Sequence, residues 1–326
     1  MSDLQINDLS IEYDTDSGPL QAVNQVSLEL EPGEILGIVG ESGSGKSTVA
    51  ESIIRILDVN GRITAGEIEF DGTELTGLSE AELGETVRGS RIGMMFQDPH
   101  TSTSPVNTVG TQIADLLMTH HDISRSDARD RAIELLKDVG IASAALRYDE
   151  YPHSFSGGML QRVLLAMAIA GEPEVLIADE PTTGLDMTIQ AQVLSKLETL
   201  NEDRNMSILL ITHDLDVVRD ICDRVVVMYN GNVVEAGTCE SVIDDPKHPY
   251  TADLTRLSLG EVLSESTGTP DLIKSAANTG CPYHNTCSEA IEGVCNTGGI
   301  PKLYESDDGR PVRCHLYDPQ QQEGKQ

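Results

Sequence analysis

The residues with the clearest chemistry are Gly40-Glu41-Ser42-Gly43-Ser44-Gly45-Lys46-Ser47. They follow the apolar run Ile35-Leu36-Gly37-Ile38-Val39 and precede a helix-like segment from Ser47 to Leu57. Strand, glycine-rich loop and helix start in that order form the phosphate-binding pattern G-x-x-x-x-G-K-[ST], the P-loop. The glycines let successive backbone N–H groups turn toward one anion. The helix N-terminus adds the positive end of its dipole. In this pattern Lys46 reaches the β- and γ-phosphates of a nucleotide and the Ser47 hydroxyl ligates Mg²⁺.

Three later segments narrow the reading. Val175-Leu176-Ile177-Ala178-Asp179-Glu180 reads as a buried strand ending in two acids. Asp179 is placed to hold Mg²⁺, directly or through water, and Glu180 to polarise an attacking water. Phe155-Ser156-Gly157-Gly158-Met159-Leu160-Gln161-Arg162 opens an apolar helix running to Ala170 and stopping at Gly171. Its serine and two glycines make a second anion-binding helix start. One nucleotide does not need two such starts from one chain, whereas a dimer closing over it does. Ile208-Leu209-Leu210-Ile211-Thr212-His213-Asp214 reads as a strand ending in a histidine that suits a γ-phosphate contact.

Taken in order, these motifs resemble the ATP-binding subunit of ATP-binding-cassette (ABC) transporters. The set is the loop Gly40–Ser47, Gln97 in Phe96-Gln97-Asp98-Pro99, the signature Ser156-Gly157-Gly158, the strand ending Asp179-Glu180, then Gly184-Leu185-Asp186 and His213. Finer detail is similar to the dipeptide, oligopeptide and nickel importer branch: Tyr151-Pro152-His153-Ser154 before the signature, Pro181-Thr182-Thr183 after the acids, and His248-Pro249-Tyr250-Thr251. The chain departs from that pattern at Leu160, at Gly184 and at Thr101-Ser102-Thr103-Ser104-Pro105, none of which removes a catalytic group.

The resemblance implies roles for particular residues. Gly40, Glu41, Ser42, Gly43, Ser44, Gly45, Lys46, Ser47 and Thr48 bind phosphate and Mg²⁺. Tyr13 stacks on adenine. Gln97 contacts Mg²⁺ and the nucleophilic water, with Ser47 and Asp179 as the other Mg²⁺ residues. Glu180 is the general base and His213 holds the γ-phosphate. Ser156, Gly157 and Gly158 act on a partner's ATP, and Asp186 belongs to the nucleotide site. It also implies two membrane permeases, a second ATPase subunit and an extracytoplasmic solute-binding protein. The chain would then sit on the cytoplasmic face of the cell membrane. A soluble ABC ATPase of translation or DNA repair is the alternative, but those carry two cassettes or long coiled-coil insertions. A third reading is an iron–sulfur regulatory or assembly protein.

Alternation of apolar and polar residues over 4–13 and 22–30 predicts edge strands. Residues 33–39 form the strand into the loop. Residues 66–98 carry strands around a polar helical insertion at 79–88. Residues 106–171 read as a helical subdomain. One of its helices is Ser126–Val139, with Ser124 and Asp127 as a capping pair and Gly140 as its stop. Strands return at 174–178, 207–212, 224–229 and 232–235, with a helix at 187–203. The expected fold is an α/β P-loop ATPase with a mostly parallel central sheet and an antiparallel side sheet. It occupies residues 1–250, with a cysteine-bearing extension over 251–326.

Composition adds bounds. The 326 residues carry 54 acids against 22 bases, a net charge of −32, and only seven of the bases are lysine. Such a surface lacks the basic stripe a nucleic-acid partner requires. The excess is spread along the chain and reads as a solvated shell adapted to high internal salt. There is no run of about 18 apolar residues. The opening Met1-Ser2-Asp3-Leu4 lacks the basic and apolar regions of a signal peptide.

The tail holds Cys281, Cys287, Cys295 and Cys314, separated by five, seven and eighteen residues. Cys222 and Cys239 lie in the core, as small buried hydrophobes do. Four clustered cysteines in a chain expected to stay reduced suggest a metal site. Four thiolates suit Zn²⁺ or a [4Fe–4S] cluster, although the tight C-x-x-C pairs of zinc ribbons are absent. Reduced thiols packed against the ATPase are the third possibility. The resemblance to dipeptide importer tails implies the iron–sulfur cluster.

Overall fold

The computed structural model describes residues 3–259 and 280–323. Residues 260–279 of the expected extension, and Met1-Ser2 at the N-terminus, lie outside the described residues.

The central sheet is built on five parallel strands in the spatial order Ile92–Met95, Val175–Asp179, Ser207–Thr212, Ile35–Val39 and Arg224–Tyr229. Parallel strands are covered on both faces and therefore read as continuous apolar runs. Alternate side chains go to opposite cores. Val39, Ala178, Leu210 and Val227 enter one hydrophobic cluster, while Ile38, Ile177, Ile211 and Val226 enter the other.

The second cluster is shared with a four-stranded antiparallel sheet in the order Gly18–Leu30, Leu4–Thr15, Gly61–Phe70, Thr73–Glu74. Leu4–Thr15 is not an edge strand as its alternation suggested, because it pairs on both sides. Its buried apolar residues are Leu4 and Ile6, then Leu9 and Ile11. A plain period of two would turn the later pair away from the core. An irregularity at Asp8, whose φ is 48°, absorbs one residue and restores the inward phase. Gly61–Phe70 begins five residues before the expected position.

The first cluster is covered by helices, among them Val109–His120, Arg125–Asp138 and Gly157–Ala168. Ser124 caps Arg125–Asp138 by accepting from Asp127 N–H at 3.2 Å. The insertion helix Glu80–Thr86 starts with a capping box between Ser79 and Glu82. Leu215–Ile221 forms a further helix, unassigned from the sequence, and its signal is Asp214 accepting from Asp216 N–H at 2.9 Å. The helix after the P-loop, Lys46–Ile53, ends four residues before the expected Leu57, with Arg55 at φ 52°.

The extension is knitted into this frame. Helix Pro249–Ser258 runs across residue 250. Strand Pro311–Val312 pairs with Glu235 in the antiparallel strand Asn232–Thr238 and thus lengthens the central sheet. Arg310 bonds Glu235 at 3.2 Å and reaches the carbonyls of Ser241 and Asp245 at 2.6 and 2.7 Å. None of the helices among the described residues is long and apolar enough to cross a membrane.

Candidate active site

Ligand crevices in open parallel sheets lie at the carboxyl ends of the strands. The sequence-predicted groups gather there. Strand Ile35–Val39 delivers the P-loop, Val175–Asp179 delivers Asp179 and Glu180, and Ser207–Thr212 delivers His213. Gln97 stands exposed just past the strand Ile92–Met95 at the end of the sheet.

The loop is shaped by its glycines. A side chain at Gly40 would meet the Met228 carbonyl oxygen at 2.2 Å, and one at Gly45, where φ is 99°, would meet the Ala22 carbonyl at 2.6 Å. Lys46 is buried, and its Nζ donates to the carbonyls of Gly40 and Glu41, both at 2.8 Å. Burial pulls its pKa down, while Glu180, Asp179 and Glu41 push it back up. The buried Ser44 Oγ has no hydrogen-bond partner among the described residues. A loop that curls around its own lysine and leaves a buried hydroxyl unpaired fits a polar guest. Phosphate oxygens match both groups.

Ser47 Oγ donates to Asp179 Oδ1 at 3.2 Å. These two oxygens suit a hard cation such as Mg²⁺. Burial raises the Asp179 pKa, the bond from Ser47 lowers it, and the neighbouring Glu180 charge raises it further. A cation there would remove the cost of holding the carboxylate ionised.

Glu180 has the left-handed φ of 47°, uncommon for a residue with a side chain, and its N–H is tied to the Ile211 carbonyl at 2.8 Å. Its oxygens each lie 3.1 Å from His213 Nδ1, and Thr183 Oγ1 donates to Oε2. Burial alone would raise the carboxyl pKa. The bonds from Thr183 and His213, together with the charges of His213 and Lys46, outweigh it and hold the pKa below the ordinary range. Sequence reasoning missed Thr183, whose only signal is its place three residues after Glu180.

Other expected site residues lie elsewhere. Ser156 and Gly157 are exposed at the start of helix Gly157–Ala168, where Ser156 Oγ accepts from Met159 N–H at 3.4 Å. Gly158 packs on Ile189, and a side chain there would meet the Ile189 methyl at 2.4 Å. That helix packs on the helices of the subdomain and on strand Ile92–Met95, whereas the P-loop helix packs on strands Gly18–Leu30 and Val175–Asp179. Asp186 caps helix Met187–Arg204 by accepting from Thr188 and Ile189 N–H at 3.1 and 3.0 Å. Tyr13 is half-buried and lies over Gly61.

Residues 23–183 match the ABC transporter family, and residues 234–295 match the oligopeptide/dipeptide transporter C-terminal region. The dipeptide transport ATP-binding protein DppD of Escherichia coli (strain K12) is 42% identical over 320 residues, 97% of each chain. The chain belongs to the ABC transporter ATP-binding family. The oligopeptide transport ATP-binding protein OppD of Bacillus subtilis (strain 168) is 50% identical over 249 residues, covering 76% of this chain and 69% of that one. Among solved structures, the ABC transporter cassette MJ0796, as a dimer bound to ADP and Pi, superposes with a TM-score of 0.66 at 28% identity. It covers 72% of this chain and 98% of that one. The ABC ATPase fold expected from the motifs is thus the fold observed.

One expectation requires correction. Among the described residues no group of three or more His, Cys, Asp or Glu side chains is arranged to hold a metal ion. The iron–sulfur cluster expected at Cys281, Cys287, Cys295 and Cys314 does not fit this donor set, and zinc does not either. Cys281 and Cys295 belong to the main hydrophobic cluster, with Cys287 packed on it. Burial, reinforced by the neighbouring thiols, raises the Cys287 pKa to about 11 and that of Cys314 to about 12. Cys281, Cys287 and Cys295 are thus packing thiols, and Cys314 is buried as well.

Proposed function

We propose that this chain is the ATP-binding and hydrolysing subunit of an ABC importer that takes up peptides. The observation that carries the reading is the meeting of Lys46, Ser47, Asp179, Glu180 and His213 at the carboxyl ends of three adjacent strands, in a chain colinear with a dipeptide transport ATP-binding protein. The ATPase unit is residues 1–250 with a helical subdomain over 106–171, followed by the extension.

Lys46 leaves the Gly40 and Glu41 carbonyls to take up the β- and γ-phosphates, and the loop N–H groups with Ser44 and Thr48 surround them. Tyr13 supports the adenine. Ser47, Asp179 and Gln97 would hold Mg²⁺, which would supply positive charge against the phosphate oxygens. Glu180, kept ionised by its bonds to Thr183 and His213, accepts the proton of the attacking water. His213 then turns its exposed ring toward the γ-phosphate. Ser156 and Gly157, presented outward, complete the site of a second ATPase subunit together with Gly158, with Asp186 at the same junction. The dimeric state of MJ0796 with ADP and Pi supports that arrangement.

Closure and reopening of the pair would drive two permeases on the cytoplasmic face, fed by an extracytoplasmic solute-binding protein. The acidic shell, −32 overall, supports a cytoplasm of high salt. Deletion of the gene tests the reading. Uptake of labelled dipeptides or oligopeptides should fall, and should return with the wild-type chain but not with Glu180→Gln. ATPase activity with unchanged peptide uptake would instead favour a soluble ABC ATPase.

A further inference from the structure

The P-loop is held from behind by helix Pro249–Ser258, which leads into the extension. Glu41 N–H, within the loop, donates to the hydroxyl of Tyr250 at 3.0 Å. Tyr250 is the second residue of helix Pro249–Ser258 and is only 2% exposed. Its ring lies 4.6 Å from that of Tyr229 and 5.4 Å from that of Tyr283, which are themselves 5.2 Å apart. Tyr283 belongs to the cysteine-bearing segment, and its hydroxyl donates to Asp253 on the helix of Tyr250. Tyr229 ends the strand whose following turn sends Gly231 N–H to the Ser44 carbonyl at 3.0 Å. The loop is therefore tied at Glu41 and at Ser44 by groups that meet in one aromatic cluster.

In the structure described here the Glu41 carbonyl is engaged by Lys46, and that bond must break when Lys46 turns to phosphate. The bond to Tyr250 need not break, since it uses the N–H. Edge and tilted ring contacts fix the position of the hydroxyl. Burial raises the Tyr250 pKa, so the phenol stays neutral.

We infer that Tyr250 is a positioning residue for nucleotide binding, holding the first turn of the P-loop in its phosphate-accepting shape, and that Tyr283 seats it there. The extension is thereby a structural part of the ATP site. This rests on the ATPase reading above. Loss of one neutral hydrogen bond, with the loop freed to populate other shapes, should weaken binding by roughly three- to ten-fold.

The test uses the full chain, a fluorescent ATP analogue for affinity, steady-state ATPase kinetics and thermal melting. Tyr250→Phe keeps the ring and should raise Kd and KM for ATP by roughly that factor while kcat changes less than about two-fold. ADP affinity should fall equally, because both nucleotides use the same loop. Tyr283→Leu should weaken affinity in the same direction as Tyr250→Phe. A Tyr250→Phe protein that melts lower but binds ATP as tightly as wild type overturns the inference and leaves the ATPase reading standing. Equal affinity for Tyr283→Leu and wild type overturns the seating role. A wild-type chain that binds no ATP overturns the reading beneath both.

Discussion

His213 Nδ1 lies equidistant, at 3.1 Å, from the two carboxylate oxygens of Glu180. The histidine side chain is mostly exposed and the glutamate side chain mostly buried. A buried acid is thus steadied by a ring that is free to turn outward. Replacing the acid isolates its part. Glu180→Gln should keep ATP affinity and lower hydrolysis by roughly 10²–10⁴-fold, the usual worth of a positioned base. It should also accumulate an ATP-bound dimer on size exclusion. Turnover close to wild type would remove Glu180 from the role of base.

His248 supplies a pH dependence with a definite sign. It is buried, and its Nδ1 accepts from Tyr250 N–H at 3.0 Å. Burial lowers its pKa from 6.5 to about 4. Below pH 6.5 the unfolded chain takes up a proton that the folded histidine refuses. Stability should therefore fall as pH drops from 6.5 toward 4, and this contribution should vanish above that window. The full effect is about 3 kcal/mol. His248→Asn keeps a helix-capping acceptor. Denaturant melts from pH 7.5 to about 4.5 should show a shallower fall for this variant. Parallel curves for the two proteins would contradict the assignment.

Arg310 and Glu235 form a buried pair, 8% and 0% exposed, between the extension and the central sheet. Glu235 also accepts from Lys247 and His248 N–H, both at 2.9 Å. Arg310→Met leaves a buried carboxylate without its counter-charge and should cost about 3 to 5 kcal/mol. Pairing it with Glu235→Gln should recover a large part of that loss. Urea melts of the single and double variants decide the matter, and an additive double variant would deny the coupling.

Charge gives a salt dependence. The screening length shrinks from about 10 Å at 0.1 M salt to about 3 Å at 1 M. A chain with net charge −32 repels itself least in concentrated salt. Its melting temperature should climb strongly between roughly 0.1 and 2 M KCl. A flat or falling curve would sink the high-salt reading.

The sequence made the parallel strands legible because both faces of each are buried and the apolar runs are unbroken. The P-loop and the acid pair were legible because strand, loop and helix order leaves few other geometries. Contacts across the fold were not. Tyr250 meets Glu41 across 209 positions of chain, and its motif His248-Pro249-Tyr250-Thr251 says nothing of its partner. The phase of Leu4–Thr15 was obscured by Asp8, whose left-handed backbone inserts one residue into the alternation. Four cysteines can be counted in a sequence, but whether their sulfurs converge on one point depends on loop paths that spacing does not set.

Strand Pro311–Val312, which lengthens the central sheet beside Asn232–Thr238, is made after both strands it adjoins, Asn232–Thr238 and Tyr304–Glu305. During synthesis the sheet ahead of it has already left the ribosome while this strand is still inside the tunnel. Until it emerges, the growing chain offers an open edge to any passing strand, a template for mispairing. Translation must pass Val312 before that edge is shielded. A nascent chain stalled short of Pro311 would expose the edge for as long as the stall lasts.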